Sequence, residues 1–164
     1  ITSIQPQNKM AFSGKKILVV GGSSGIGLSL LQKLTESGAE VWNCSRREVE
    51  MSGVHHQRLD VRDENHALEL PDQLDGMVYC PGTINLKPFN ALKVEDFQFD
   101  WEVNVLGFVK VFKYALKSLR KKPSSVVLFS TVAVNQGMSY HASIAAAKGA
   151  IKGLTRSLAG EYAR

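Results

Sequence analysis

The residues best suited to chemistry begin with a glycine cluster. Gly21-Gly22-Ser23-Ser24-Gly25-Ile26-Gly27 follows the apolar run Ile17-Leu18-Val19-Val20 and leads into Leu28-Ser29-Leu30-Leu31. Glycines at such a junction permit positive backbone angles and let the main chain approach a ligand that a Cβ would repel. The N–H groups that open the following helix, with the positive end of its dipole, make a site for a phosphate or pyrophosphate. A turn that merely joins strand to helix is the plainer alternative. The spacing is Gly-x-x-x-Gly-x-Gly, not the commoner Gly-x-Gly-x-x-Gly, which implies a longer turn serving the same purpose. A nucleotide is the expected ligand.

Other polar residues fall at the ends of the expected strands. The second strand runs into Ser45-Arg46-Arg47. A dinucleotide site selective for a ribose 2′-hydroxyl usually carries a carboxylate there, whereas a guanidinium suits a 2′-phosphate, so NADP(H) is expected over NAD(H). A pair of exposed surface arginines is the alternative. Asp60-Val61 closes the third strand, where the carboxylate either meets an adenine amino group or caps the next helix. Cys80-Pro81-Gly82 turns the chain at the end of the fourth, on the sheet edge that holds ligands in open α/β folds. Ser130-Thr131 places hydroxyls at the end of the fifth. Asn104 lies in an otherwise apolar helical stripe and needs partners, which makes it a structural bridge or a site residue.

The elements that must position these residues are legible from periodicity. The helix after the glycine turn is expected to bury Ile26, Leu30, Leu31 and Leu34 and to end at Gly38. Strands are expected at 17–20, 39–44, 54–59, 77–80 and 125–129, and a right-handed crossover makes the first two parallel. A short helix is expected over 64–70, stopped by Pro71. Phe97, Trp101, Val105, Phe108, Phe112, Leu116 and Leu119 predict one amphipathic helix over 94–119. Ile144, Ala147, Ile151, Leu154 and Leu158 predict another over 141–162. Residues 1–14 are polar and aperiodic, a loose arm, and 15–164 form the single domain that this length allows.

Composition narrows the function classes. The net charge of +5 comes from basic residues scattered singly or in short groups, so a solvated surface is expected and not a nucleic-acid footprint. No run of apolar residues is long enough to cross a membrane, and 1–12 lack a signal-peptide core, so a cytoplasmic protein is expected. Cys44 and Cys80 lack metal-ligand spacing and read as reduced structural thiols, with no metal site.

Taken in order, the Gly-x-x-x-Gly-Ile-Gly turn, the basic end of strand two, Asp60-Val61, the Pro81-Gly82 turn, Asn104-Val105-Leu106-Gly107 and Lys148 in a helix of small residues resemble the short-chain dehydrogenase/reductase family. That resemblance spans nearly the whole chain and implies a Rossmann-type α/β fold, a doubly wound parallel sheet in three layers, with a nicotinamide dinucleotide on Gly21, Ser23, Ser24, Gly25, Ile26, Gly27, Ser45, Arg46, Arg47, Asp60, Val61, Cys80, Pro81 and Gly82. It also implies a catalytic Asn, Ser, Tyr and Lys. Asn104 matches the asparagine, and Lys148 the lysine that holds the nicotinamide ribose and lowers the tyrosine pKa. The serine position falls on Thr131, with Ser130 adjacent. The tyrosine position is Ile144, which has no hydroxyl.

Tyr140 and His141 are the candidate substitutes, provided the last helix begins early enough to carry them to that space; the alternatives are a loop aromatic packing on the core for Tyr140 and a solvated helix-start residue for His141. Val20 and Tyr79-Cys80 are milder departures from the family pattern. Members also continue well beyond the equivalent of Arg164, so the fold is expected to be C-terminally incomplete. The resemblance implies an NADP(H)-dependent oxidoreductase interconverting a small carbonyl and an alcohol with a non-standard proton donor. Its alternative is an NADP(H)-binding protein without turnover. Homo-oligomers through the two long helices are expected.

Overall fold

The computed structural model describes residues 11–64 and 67–162. The apolar run after Lys16 becomes β1 (Lys16–Val20), and Ile17, Leu18, Val19 and Val20 are all buried. A strand apolar on both faces belongs in the middle of a parallel sheet. The five-stranded sheet has the order β3-β2-β1-β4-β5, with β2 (Glu40–Ser45), β3 (Val54–Arg58), β4 (Gly76–Tyr79) and β5 (Ser125–Leu128). The pairs β1–β2, β1–β4 and β2–β3 are parallel. Val20 stands opposite both Cys44 and Tyr79, so three strands finish level and deliver Gly21, Ser45 and Cys80 to one edge.

The chain divides into two compact units. One comprises the described parts of 1–60, 66–80 and 115–127, and the other those of 61–65, 81–114 and 128–164. In the first, α1 (Gly25–Glu36) packs Leu31 and Leu34 into a cluster with Ile17, Val19, Ala39 and Val41. Ile26, expected in that core, is instead 66% exposed, because it occupies the outward side of the first turn. Gly38 ends the helix as expected, at φ +85°. Residues 11–14, the described end of the expected arm, form a turn in which Phe12 N–H donates to Ser37 O at 3.0 Å, while 1–10 lie outside the described residues.

The helix expected over 64–70 is also absent where it can be seen. Residues 65 and 66 lie outside the described residues, and 67–70 have no regular structure. There the Gln57 side chain donates to Glu69 O at 2.6 Å and accepts from Glu69 N–H at 2.8 Å, so a strand side chain supplies the bonds a helix would have made.

In the second unit the long helix is interrupted. α2 (Val94–Trp101) passes through a π-helical segment (Glu102–Leu106) into α3 (Gly107–Leu119), whose last turn belongs to the first unit. The wider π turn rotates the inward face. Asp100, Asn104, Phe108, Val111 and Ala115 are therefore buried, whereas Trp101, expected in the core, is 43% exposed. A 3₁₀ turn (Phe89–Ala91) and a short α4 (Ala133–Gln136) were not foreseen. α5 (Ala142–Tyr162) buries Ser143, Ile144, Ala147 and Ile151 against the α2 region. Among the described residues no helix is long and apolar enough to cross a membrane.

Candidate cofactor and active site

In the first unit the glycine turn is held from behind. Gly21 takes φ +81° and donates its N–H to Cys44 O at 2.8 Å. A Cβ on Gly22 would run into Asn43 Oδ1, and one on Gly27 into the Gly21 carbonyl, so both are glycine for lack of room. Gly25 differs: its φ is +53°, and a Cβ there would meet nothing within 4 Å. Its face is open to a ligand. Ser24, at the N-cap of α1, makes no side-chain cap bond. The first-turn N–H groups have no carbonyl one turn back to bond. An open glycine face above uncapped helix donors is what a phosphate requires.

The end of β2 lies beside this turn. Asn43 is fully buried, and its Oδ1 accepts the Gly22 N–H at 3.0 Å. Its Nδ2 donates to Ser45 Oγ at 3.1 Å and contacts His56 Nδ1 at 3.0 Å. Ser45 Oγ donates to Arg47 O at 2.8 Å, and Arg46 and Arg47 are exposed. Cys80 N–H donates to Val20 O at 2.9 Å. Burial, and after it the charge of Asp60, raises the Tyr79 phenol above the usual tyrosine range. Burial pushes the Cys44 thiol up to about 12, as suits the structural cysteine expected.

In the second unit Gly82, Asn104 and Lys148 converge. A Cβ on Gly82 would stand 3.6 Å from both Asn104 Oδ1 and Lys148 Nζ. Asn104 Nδ2 donates to the Asp100 carbonyl and to Thr83 Oγ1, each at 2.8 Å, and the Thr83 hydroxyl donates to Asp100 Oδ1. Among the described residues Asn104 Oδ1 and Asp100 Oδ2 are buried with no hydrogen-bond partner. Such atoms are costly to leave bare and well suited to a bound water or ligand. The Ser130 hydroxyl donates to Lys148 O at 3.2 Å, while Thr131 Oγ1 accepts the Ala133 N–H at 3.3 Å. Val61 is buried and Pro81 half-buried.

Of the expected substitute donors, His141 stands at the start of α5, where its carbonyl accepts the Ala145 N–H at 2.8 Å, and Tyr140 precedes the helix. Tyr140 sits at φ +67°, a left-handed conformation that ends helical continuity, with its side chain 58% exposed. Its carbonyl accepts the Lys87 N–H at 3.2 Å, and the His141 ring bonds Ser139 O at 2.7 Å. Ile144 is 6% exposed, one turn before Lys148. Sequence reasoning missed Asn43, Thr83 and Asp100. Asp100 lies one helical turn before Asn104, and that spacing was the signal that could have found it.

The short chain dehydrogenase family model matches residues 15–164. Among curated proteins, the chain is 29% identical to L-fucose dehydrogenase of Mus musculus over 93% of this chain and 62% of that protein. It is 27% identical to L-xylulose reductase of Bos taurus over 93% and 67%. Among solved structures, the Thermoplasma acidophilum aldohexose dehydrogenase superposes with a TM-score of 0.81 at 21% identity, covering 92% of this chain and 62% of that one. A short chain dehydrogenase of Salmonella enterica serovar Typhi gives 0.83 at 23%, covering 96% and 74%. The chain belongs to the short chain dehydrogenase family. It spans about three fifths of the length of the first curated relatives it matches.

Membership implies a nicotinamide cofactor, NAD or NADP. In the first unit the open glycine face and uncapped helix start suit the pyrophosphate of such a cofactor; in the second the orphaned Asn104 oxygen beside Gly82 suits a polar ligand or its water.

Proposed function

We propose that this chain is the nucleotide-binding part of an NADP(H)-dependent oxidoreductase interconverting a small carbonyl and an alcohol. The observation that carries this reading is the convergence of Asn104 Oδ1 and Lys148 Nζ on Gly82, in a chain whose family is established. Gly21, Ser23, Ser24, Gly25, Ile26 and Gly27 would hold the pyrophosphate. Arg46 and Arg47, with Ser45 behind them, would take the 2′-phosphate, and Asp60, Val61, Cys80, Pro81 and Gly82 would border the rest of the cofactor. When bound, the nicotinamide gives or takes a hydride at the substrate carbon. Lys148 would orient the ribose, Asn104 would hold a water through its orphaned oxygen, and Ser130 or Thr131 would position the substrate oxygen.

Arg46 and Arg47 support NADP(H), since both guanidiniums are exposed where a ribose phosphate would lie and no carboxylate replaces them. The proton donor is non-standard. Ile144 has no acidic proton to give, and Tyr140 and His141 precede the first residue of α5. That same observation favours a second reading, an NADP(H)-binding protein without dehydrogenase turnover.

Fluorescence titration with NADPH and NADH, followed by a panel of ketones and alcohols, separates the two. Tight NADPH binding with turnover supports the first reading; tight binding with none across the panel replaces it with the second. Where turnover is found, Tyr140→Phe and His141→Ala identify the donor, and unchanged rates in both exclude these residues. Preference for NADH removes the argument from Arg46.

A further inference from the structure

We infer that Asn43 is a specificity-determining positioning residue that couples the phosphate-binding turn to the arginine pair. This inference rests on the NADP(H) reading above. Asn43 is 0% exposed in the middle of a parallel sheet, where an apolar side chain would pack without needing partners. Its hydrogen bonds have one consistent direction. Because Gly22 N–H donates to Oδ1, the amide is fixed with Nδ2 as donor toward Ser45 Oγ and His56 Nδ1. Ser45, having accepted from Asn43, donates its own hydrogen to Arg47 O. His56 Nδ1 is then the acceptor, with the ring proton on Nε2. Every hydrogen-bonding group of the Asn43 amide is used, and a fully satisfied buried network rigidifies what it joins.

What it joins are two separate stretches of backbone. At one end is Gly22, inside the turn that would hold the pyrophosphate. At the other is the carbonyl of Arg47, which sets the path of the segment carrying both guanidiniums. The geometry also explains why Gly22 accepts no side chain, since a Cβ there would displace the Asn43 amide. The spacing between the two phosphate-binding features is thereby set by one side chain. A ligand that engages both, NADPH or adenosine 2′,5′-bisphosphate, should depend on this link more than NADH does.

The test uses Ser45→Ala, which removes the bridge to Arg47 while leaving Asn43 on Gly22, together with Asn43→Leu and with thermal melting as the check on folding. Losing one such hydrogen bond corresponds to about a fivefold change. Ser45→Ala should weaken NADPH and adenosine 2′,5′-bisphosphate about fivefold and change NADH less than twofold. Asn43→Leu should weaken all three, NADPH most. In the cofactor-free protein, hydrogen exchange of the Gly22 amide should accelerate in both variants. Equal losses for NADPH and NADH in Ser45→Ala, or Gly22 exchange unchanged by it, overturn the coupling. A wild-type protein with no preference for NADPH overturns the NADP(H) reading instead, and the Gly22 exchange still decides whether the link exists.

Discussion

Replacing three glycines one at a time by alanine separates what the glycine turn does for the fold from what it does for a ligand. Gly25 has φ +53° with open space at the Cβ position, so Gly25→Ala introduces no clash. The left-handed backbone costs an alanine roughly 1–2 kcal/mol, partly offset by a less flexible unfolded chain. A net loss of about 1 kcal/mol lowers Tm by about 2–4 °C in a protein of this size. Gly27→Ala is different, because its Cβ would strike the Gly21 carbonyl, its carbon at 3.0 Å and Gly22 Cα at 3.0 Å, all backbone atoms that cannot swing aside. Overpacking of that kind costs about 1–3 kcal/mol or more, so Tm should fall further. Gly53 supplies the control. Its φ is +79°, and its nearest neighbour would be Thr35 Cγ2 at an ordinary 3.8 Å, so Gly53→Ala carries the backbone cost of Gly25→Ala far from the turn. Scanning fluorimetry reads the stabilities, and NADPH fluorescence reads the binding. Gly25→Ala should lose at least about tenfold in NADPH affinity, about 1.4 kcal/mol, while Gly53→Ala binds as wild type does. A folded Gly25→Ala protein with wild-type affinity would refute the placing of a phosphate against that open face.

Ile144→Tyr restores a hydroxyl one turn before Lys148; it should cost about 1–3 kcal/mol through overpacking at a buried position and raise carbonyl turnover by about 10²–10⁴. A folded, NADPH-binding variant no faster than wild type would show that a missing donor is not what limits the rate. At the opposite edge of the sheet, burial raises the Asp75 carboxyl, but hydrogen bonds from Lys122 at 2.7 Å, the Lys16 N–H at 2.9 Å and Lys15 at 3.1 Å outweigh it and lower the pKa to about 2. A depressed carboxylate contributes stability above its unfolded value, near 3.9, and that contribution is lost as pH falls through the folded one. Asp75→Asn should therefore melt lower than wild type at neutral pH, with the two curves converging between about pH 4 and pH 2; a gap independent of pH would mean the carboxylate charge contributes nothing.

How much the sequence disclosed depended on whether a residue followed the rule of its own element. Ile17 to Val20 did: an unbroken apolar run is readable as a central strand because no other setting buries both of its faces. Asn43 did not, since a polar residue inside β2 looks like an ordinary half-exposed strand position until Gly22 and Ser45 are seen on either side of it. The 94–119 stripe reads as one helix only if the helical period is constant. The π segment adds residues to one turn, and no spacing of apolar side chains announces that in advance. It carried Trp101 out of the core and Asp100 into it. The described residues 67–70 of the expected 64–70 helix are irregular for a related reason: Gln57, distant in sequence, satisfies the Glu69 backbone.

In the second unit these departures collect around Asn104, and they act together. The π segment turns both Asp100 and Asn104 inward, one above the other. A leucine at position 100 would pack at less cost than a buried carboxylate with one bare oxygen. What the carboxylate supplies is direction: by accepting from Thr83 it leaves the threonine oxygen to accept from Asn104 Nδ2, and the Asp100 carbonyl accepts from that same nitrogen. With Nδ2 committed, Oδ1 is the atom left facing Gly82 and the neighbourhood of Lys148 Nζ. The amide is oriented by its own neighbours before any ligand arrives, and such preorganisation of polar atoms is a large part of what an active site contributes. The aim of Asn104 Oδ1 at Gly82 thus comes from Asp100 and Thr83, and the proposed catalytic role of Asn104 rests on it.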